Sequence, residues 1–421
     1  AAVVEYELLL ANSDGTNVRR LLSVKEPEGF GADIAAWSPD GRMLAVAYGN
    51  REGGEHMTIA TISIADGTLK PLTSQRWLSI IRIAWFPDGS DLAFTAIEHS
   101  GESQQIWQMT YPGGEARRIT NDLNAYSSGS LSFNADGSAL IAVQTETTAN
   151  IWLAPNGDAS RATVIGSRKN TSDGSDGLGW TPDGRIVYST NVNGQAGVAI
   201  MNADGSDRKP LTDGAMDARE PEVAPDGRYV CFCSLRTGHM QVWRMDIDGG
   251  NPKQLTAGKG VYQLSISPDS KWVIFSLFEG GVWRASIDGG TPTKVSDYSA
   301  GSYPQVSPNG KLLAIGVTEE KTKRPQFAVV TTDGAPFKTI DAPLQGVVFH
   351  WFPDGQSLVF VKTIRGVSNL WRQPLDGGKP EQITNFKSDL IFNFTYSLVG
   401  RQLALSRGNQ SGDAVMISDL K

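Results

Sequence analysis

The chain has 421 residues, 40% hydrophobic and 20% charged, with a formal net charge of −7. That length exceeds one ordinary hydrophobic core and calls for several domains or a repeat array. An acidic balance with no Lys/Arg block argues against nucleic acid as a partner, and no apolar run reaches the roughly 18 residues of a membrane helix.

Residues 1–4 lack the basic start and long apolar stretch of a signal peptide. Glu5–Leu10 and Val18–Leu22, parted by Ser13-Asp14-Gly15, read as two strands and a turn, so the chain starts inside a structural unit. From Trp37 onward one unit recurs. Its mark is a tetrapeptide, as in Ser38-Pro39-Asp40-Gly41, Phe86-Pro87-Asp88-Gly89, Thr181-Pro182-Asp183-Gly184, Ala224-Pro225-Asp226-Gly227 and Phe352-Pro353-Asp354-Gly355. Degenerate copies centre on Asp136, Asp269, Asn309 and Val399. Successive third residues are 48, 48, 47, 43, 43, 40, 45 and 45 positions apart. Proline presets φ, Asp accepts the next turn position and Gly takes the left-handed one, so each copy is a strand–turn–strand.

A second punctuation follows each copy, as in Val242-Trp243-Arg244 with Asp248-Gly249-Gly250 and Gln254-Leu255-Thr256. An Asp-Gly pair between two β-rich runs is a strong hairpin signal. Each unit is therefore four strands: A, Pro-Asp-Gly turn, B, loop, C, Asp-Gly turn, D. Trp37, Trp85, Trp180 and Trp351 share one place on strand A. Trp107, Trp152, Trp243, Trp283 and Trp371 share one on strand C. A stacking site for a cofactor would not repeat this way, so these rings are expected to pack between neighbouring sheets.

A lone four-stranded sheet cannot bury both faces, and radial stacking can. The fold is expected to be all-β, a β-propeller of four-stranded antiparallel blades with nine repeat units spanning residues 1–421. The N-terminal strand D would then complete the last blade, and Ala414–Ile417 reads as a strand C. The alternative is a six-bladed ring from about residue 166, closed by Arg161–Ile165, with residues 1–165 forming part of a second ring.

These units, with Ile/Val-Trp, Asp-Gly-Gly and Gln-Leu-Thr, resemble the TolB-type propeller repeat, a relative of WD repeats. Pro71–Trp77, Tyr111–Asn124, Ile383–Asp389 and Leu403–Gly408 also resemble the C-terminal propeller region of acidobacterial transmembrane serine/threonine kinases. That resemblance implies a sensor outside the cytoplasm, periplasmic or at the cell surface, in a longer polypeptide or assembly. The kinase signatures themselves are absent.

The chemistry is expected to be recognition. No Gly-x-Ser-x-Gly elbow is present, which leaves a propeller hydrolase or lyase, the gating propeller of a peptidase, or a structural subunit as alternatives. His56, His99, His239 and His350 read as solvated polar residues, three of them on B-to-C loops. Cys231 and Cys233 alternate with Phe232 and read as small buried hydrophobes. The Asp-rich stretches Asn202–Asp207 and Thr171–Gly177 lack a calcium-loop pattern, and no metal or other cofactor is expected. Binding residues gather on loops held by a rigid scaffold. The expected site is therefore the central funnel, bordered by D-to-A loops carrying Arg76, Trp77, Asp122, Tyr126, Asp217, Arg219, Glu220, Tyr262, Tyr303 and Lys387. A protein, peptide or glycan is the expected ligand.

Overall fold

The computed structural model describes the chain except residues 1–4, 51–55, 100–101, 122–123, 167–170, 193–194, 214–216, 259, 279, 299–302, 320, 342–347, 399 and 421, and the side chains of 32–34, 127–129, 192, 195 and 262. The described residues form antiparallel strands joined by turns, with one short 3-10 segment at Ala159–Arg161. The chain divides into two compact units, Ala1–Glu146 with Ser411–Lys421, and Thr147–Gln410.

The second unit holds six four-stranded sheets. Five follow the sequence in the order A-B-C-D, with A strands Leu178–Trp180, Ala218–Val223, Val261–Ile266, Tyr303–Val306 and Phe349–Trp351. We number these blades 1 to 5. Blade 6 is composite. Its A strand is Leu390–Tyr396, and its B strand is the first part of Gln402–Ser418. Its C strand is the last part of Ala139–Pro155, and its D strand is Thr163–Val164. The A strand of blade 6 lies against that of blade 1, so the succession closes on itself and leaves no open sheet face there.

The first unit contains the two-stranded sheet of Glu5–Leu10 and Arg19–Lys25. It also contains four-stranded sheets over Glu28–Pro71 and Ser79–Arg118, and Ala125–Phe133 paired with the start of Ala139–Pro155. Both divisions between the units fall inside 17-residue strands. The sequence gives no turn signal at either place, and neither reading of the repeat puts a boundary there. The strand pair Glu5–Leu10 and Arg19–Lys25 makes its own sheet and does not complete the last blade.

The repeated residues are spent on turns and blade edges. In the Pro-Asp-Gly turn the Asp carboxylate accepts the backbone N–H two residues on, as with Asp226 and Arg228 at 3.0 Å and Asp354 and Gln356 at 2.8 Å. The threonine of the Gln-Leu-Thr segment ties strand D to strand C. Thr256 Oγ1 accepts the Val242 N–H at 2.9 Å and donates to Gln241 Oε1 at 2.7 Å. Thr120 and Thr384 do the same for Ile106 and Leu370. Tryptophans close the gaps between blades. The Trp85 indole donates to the Ala36 carbonyl of the preceding sheet at 2.9 Å, and Trp351 to that of Gln305 at 2.8 Å. Trp37 departs from the expectation and is 54% exposed. The sheet before it is the two-stranded one, which offers no A strand to receive its indole. On strand C a cation caps the ring, with Arg236 at 3.8 Å from Trp243, Lys362 at 4.6 Å from Trp371 and Arg407 at 4.8 Å from Trp152.

Thr256→Val keeps the volume but strips the Val242 N–H of its acceptor and Gln241 of a donor. An orphaned buried polar group costs about 1–3 kcal/mol. Chemical denaturation of Thr256→Val should show a loss of that size, with Thr256→Ser retaining most of the stability.

Candidate functional site

Strand alternation sends successive A-strand residues to opposite sides. In the second unit the residues two before the turn proline, or its counterpart Leu398 in blade 6, are Trp180, Val223, Ile266, Val306, Trp351 and Tyr396. The residues three before it are Gly179, Glu222, Ser265, Gln305, His350 and Thr395, all polar or small. Three of this column, Glu222, Gln305 and His350, line a cavity to which all six A strands contribute, with Glu220, Gln263 and Asn393 beside them and Asp176 from the segment before blade 1. Gly179 lies instead against Val223, and the Ser265 hydroxyl accepts the Val306 N–H. The cavity's empty space is about 400 Å³, but the centre of a water molecule can reach only about 30 Å³ of it. A water needs roughly 10–15 Å³ on that measure. Between the described residues the cavity has room for a water or two.

Blade 2 contributes most of its charge. A β-bulge between Arg219 and Glu222 sets two residues outside the ladder, and Glu220 there has φ +53°. Bulges re-aim side chains, and left-handed non-glycine residues of this kind gather at functional sites. Gly177 of blade 1 is needed opposite, since a Cβ there would meet Pro221 Cδ at 2.6 Å. Asp217 is wholly buried and accepts Arg219 Nε–H at 2.9 Å. Arg219 is partly exposed beside Glu220 and Asp176.

Burial sets the protonation of the wall. It pushes the Glu220 carboxyl up to about 7, helped by Asp176 and opposed by the Cys233 thiol, which donates to Glu220, and by Arg219. It pushes Glu222 up to about 8, with the Glu220 charge adding to the effect. Burial drives His350 down to about 4 despite a hydrogen bond with Asn393, so its imidazole is neutral at pH 7. Its ring meets the edge of Phe394 at 5.0 Å. The set is a proton-holding wall, rich in oxygen donors of the type that suits hard cations. Elsewhere, among the described residues, one cluster has His and carboxylate ligand atoms all within 4.8 Å of one another: Glu98, His99 and Glu102 in the first unit. There Glu102 already faces Arg118, and Glu98 accepts from Gln75.

A profile of the TolB β-propeller domain (PD40) matches residues 28–221 and 177–348, well over half of the chain. The chain belongs to that family. Among sequence relatives, an uncharacterised protein of Agrobacterium fabrum is 32% identical over 106 residues, 25% of this chain and 36% of that protein. The Tol-Pal system protein TolB of Francisella tularensis is 25% identical over 252 residues, 58% of this chain and 55% of that protein. This TolB-family chain therefore spans about half the length of that relative. The crystal structure of TolB from Acinetobacter baumannii aligns over 79% of this chain and 78% of its own, at 18% identity and a TM-score of 0.35.

Within the TolB-family scaffold the ten residues expected at one funnel fall in separate places. Arg76, Trp77 and Tyr126 belong to the first unit. Trp77 is a correction: it is wholly buried with its ring edge-on to Phe94 and Trp107, so it packs a blade and cannot face a ligand. Tyr126 is likewise buried, and its hydroxyl accepts from Gln144. Arg76 is exposed. Asp122 lies outside the described residues, as does the side chain of Tyr262. Tyr303 is half-buried at the start of the blade 4 A strand, and Lys387 is exposed with its ammonium on Asn385. Glu220 alone lines the cavity, with Arg219 and Asp217 beside it. Glu222, His350, Gln263, Gln305 and Asn393 lie within A strands and not on the D-to-A loops; the signal for Glu222, Gln305 and His350 is their shared place three before the turn proline. His350 is a further correction, since it sits on strand A in the cavity wall and not in a solvated loop. Cys231 and Cys233 are buried free thiols, as expected.

A carboxyl whose folded value lies above its unfolded one stabilises the fold at low pH and loses that contribution as pH rises through the folded value. For Glu220 and Glu222 this window runs from about pH 4.5 to about pH 8. Glu222→Gln should flatten the decline of melting temperature between pH 5 and pH 8 and melt above the parent at pH 8. His350 acts in the opposite sense, costing stability as pH falls from 6.5 toward 4. Thermal melts of Glu222→Gln and parent across that range check the difference.

Proposed function

We propose that the chain is a non-catalytic binding module acting outside the cytoplasm, which recognises a protein or peptide of the cell envelope on the D-to-A loops around the second unit's cavity. The observation that carries this reading is the narrowness of that cavity. With about 30 Å³ open to water centres between the described residues, it offers a ligand little room, and recognition is assigned to the rim. Arg219 supplies the rim with a fixed, partly exposed cation held in place by buried Asp217. Lys387 is an exposed cation on the D-to-A loop before blade 6. Arginine anchored by a buried carboxylate is the sort of side chain on which interface energy concentrates. The family relationship supports the reading, since the Francisella relative is named for the Tol-Pal system.

One observation favours a second reading. A carboxyl near 7 beside another near 8, with a neutral histidine on the same wall, is suited to general acid–base chemistry. The two readings separate on two variants. The immobilised full chain is exposed to envelope proteins of the organism that encodes it, and retained polypeptides are identified by mass spectrometry. Arg219→Glu should lose a polypeptide that the parent and Glu222→Gln both keep. An identical retained set for Arg219→Glu and parent overturns the binding reading. So does cleavage of peptides or oligosaccharides by the parent that Glu222→Gln abolishes.

A further inference from the structure

The gap between blades 3 and 4 of the second unit differs from its neighbours. Between blades 4 and 5 the gap is closed by Trp351, 6% exposed, whose indole donates to the Gln305 carbonyl of the preceding A strand at 2.8 Å. Trp180 is also buried at blade 1, at 4% exposure, with its indole N–H making no hydrogen bond among the described residues. Blades 2 and 3 carry Val223 and Ile266 at this register, both buried, Val223 against Gly179 of the blade before, and blade 4 carries Val306. A valine reaches far less far than an indole. A cavity of about 490 Å³ opens there, with walls that include Ile274, Val295, Val306 and Leu313. That volume lies within the roughly 300–1,000 Å³ of ligand pockets.

The groove has a shaped aromatic wall and a charged rim. Trp272 lines it and is 37% exposed, and the Arg284 guanidinium lies 4.8 Å over its ring. The acceptors on the two turns are already used. Asp269 takes the Ser267 hydroxyl and the Lys271 N–H, and Asn309 takes the Ser307 hydroxyl and the Lys311 N–H. The side chains of Lys271 and Lys311 are exposed at the turn tips, and with Arg284 they give the rim three cations beside the carboxylates of Asp269 and Asp333. By register with Gln305, the Ser265 carbonyl is the acceptor an indole in this groove would meet.

We propose that this groove seats a tryptophan side chain of a partner polypeptide, flanked in that partner by acidic residues. The indole takes the place that Trp351 fills between blades 4 and 5, and the acidic flanks meet Arg284, Lys271 and Lys311. The site lies between two blades and does not depend on the cavity wall of Glu220 and Glu222. The test titrates the full chain into a fluorescent peptide, Glu-Asp-Trp-Asp-Glu, and follows anisotropy. Saturable binding is expected, at least about tenfold weaker when the peptide's Trp is Ala or its acidic residues are Lys. Val306→Trp fills the groove from within. It should weaken binding at least about tenfold while raising the melting temperature. If that variant misfolds, Arg284→Glu, which changes a partly exposed cation, should produce the same loss. No saturation up to about 1 mM overturns the proposal, as does equal binding by a folded Val306→Trp or Arg284→Glu chain and the parent.

Discussion

Each A strand has to satisfy two environments at once, and most of this protein follows from that requirement. One set of alternate residues must close the gap to the neighbouring blade. Part of the other set points to a confined space shared by several strands. In the first set Trp180, Trp351 and Tyr396 fill the gap by size, Val223 and Ile266 are buried without it, and beside Val306 a groove is left. The second set divides: Glu222, Gln305 and His350 line the shared cavity, while Gly179 lies against Val223 and Ser265 accepts the Val306 N–H of the next blade. The same alternation that makes a blade thus makes both candidate sites, one by underfilling and the other by crowding.

Crowding has an electrostatic consequence. Glu220 and Glu222 come from one strand and face one cavity, held there by a bulge and by the close approach of Gly177. Two carboxylates in so little water repel each other and lose hydration. Arg219 is nearby, but its shortest contact goes to Asp217, which is buried and holds it. The remaining way to lower the charge is to keep protons, and both carboxyls do so well above the usual carboxylate range. His350 solves the same difficulty from the basic side by giving its proton up.

The scaffold was legible because its signals are local. A proline, an Asp and a left-handed glycine fix a turn within four residues, and the threonine of Gln-Leu-Thr reports a hydrogen bond to strand C. The division of the chain was not legible. It falls inside two uninterrupted strands, Ala139–Pro155 and Gln402–Ser418, and pairing between residues over 250 positions apart leaves no local mark. The candidate site was half legible. Glu220 was found for the wrong reason, as a loop residue, while Glu222 and His350 sit inside strands that read as structural. Loops carry function where a scaffold is neutral. Here the scaffold is not neutral, because the column three before the turn proline varies among Gly, Glu, Ser, Gln, His and Thr while the adjacent column stays apolar or aromatic.

That contrast between columns also separates structure from recognition in the grooves. A repeat position is structural where its side chain closes the packing around it. Trp85 and Trp351 meet that test, since each indole spends its N–H on the preceding A strand. Val306 fails it, because the acceptor strand and the apolar walls are kept while the ring that should fill them is missing. Packing alone would favour filling such a space, since an underfilled apolar gap forfeits dispersion contacts along its whole lining. A gap that also exposes part of a tryptophan face under an arginine compounds that loss. The unfilled register at blade 4 is therefore better explained by an occupant from outside the blade pair than by the needs of the fold.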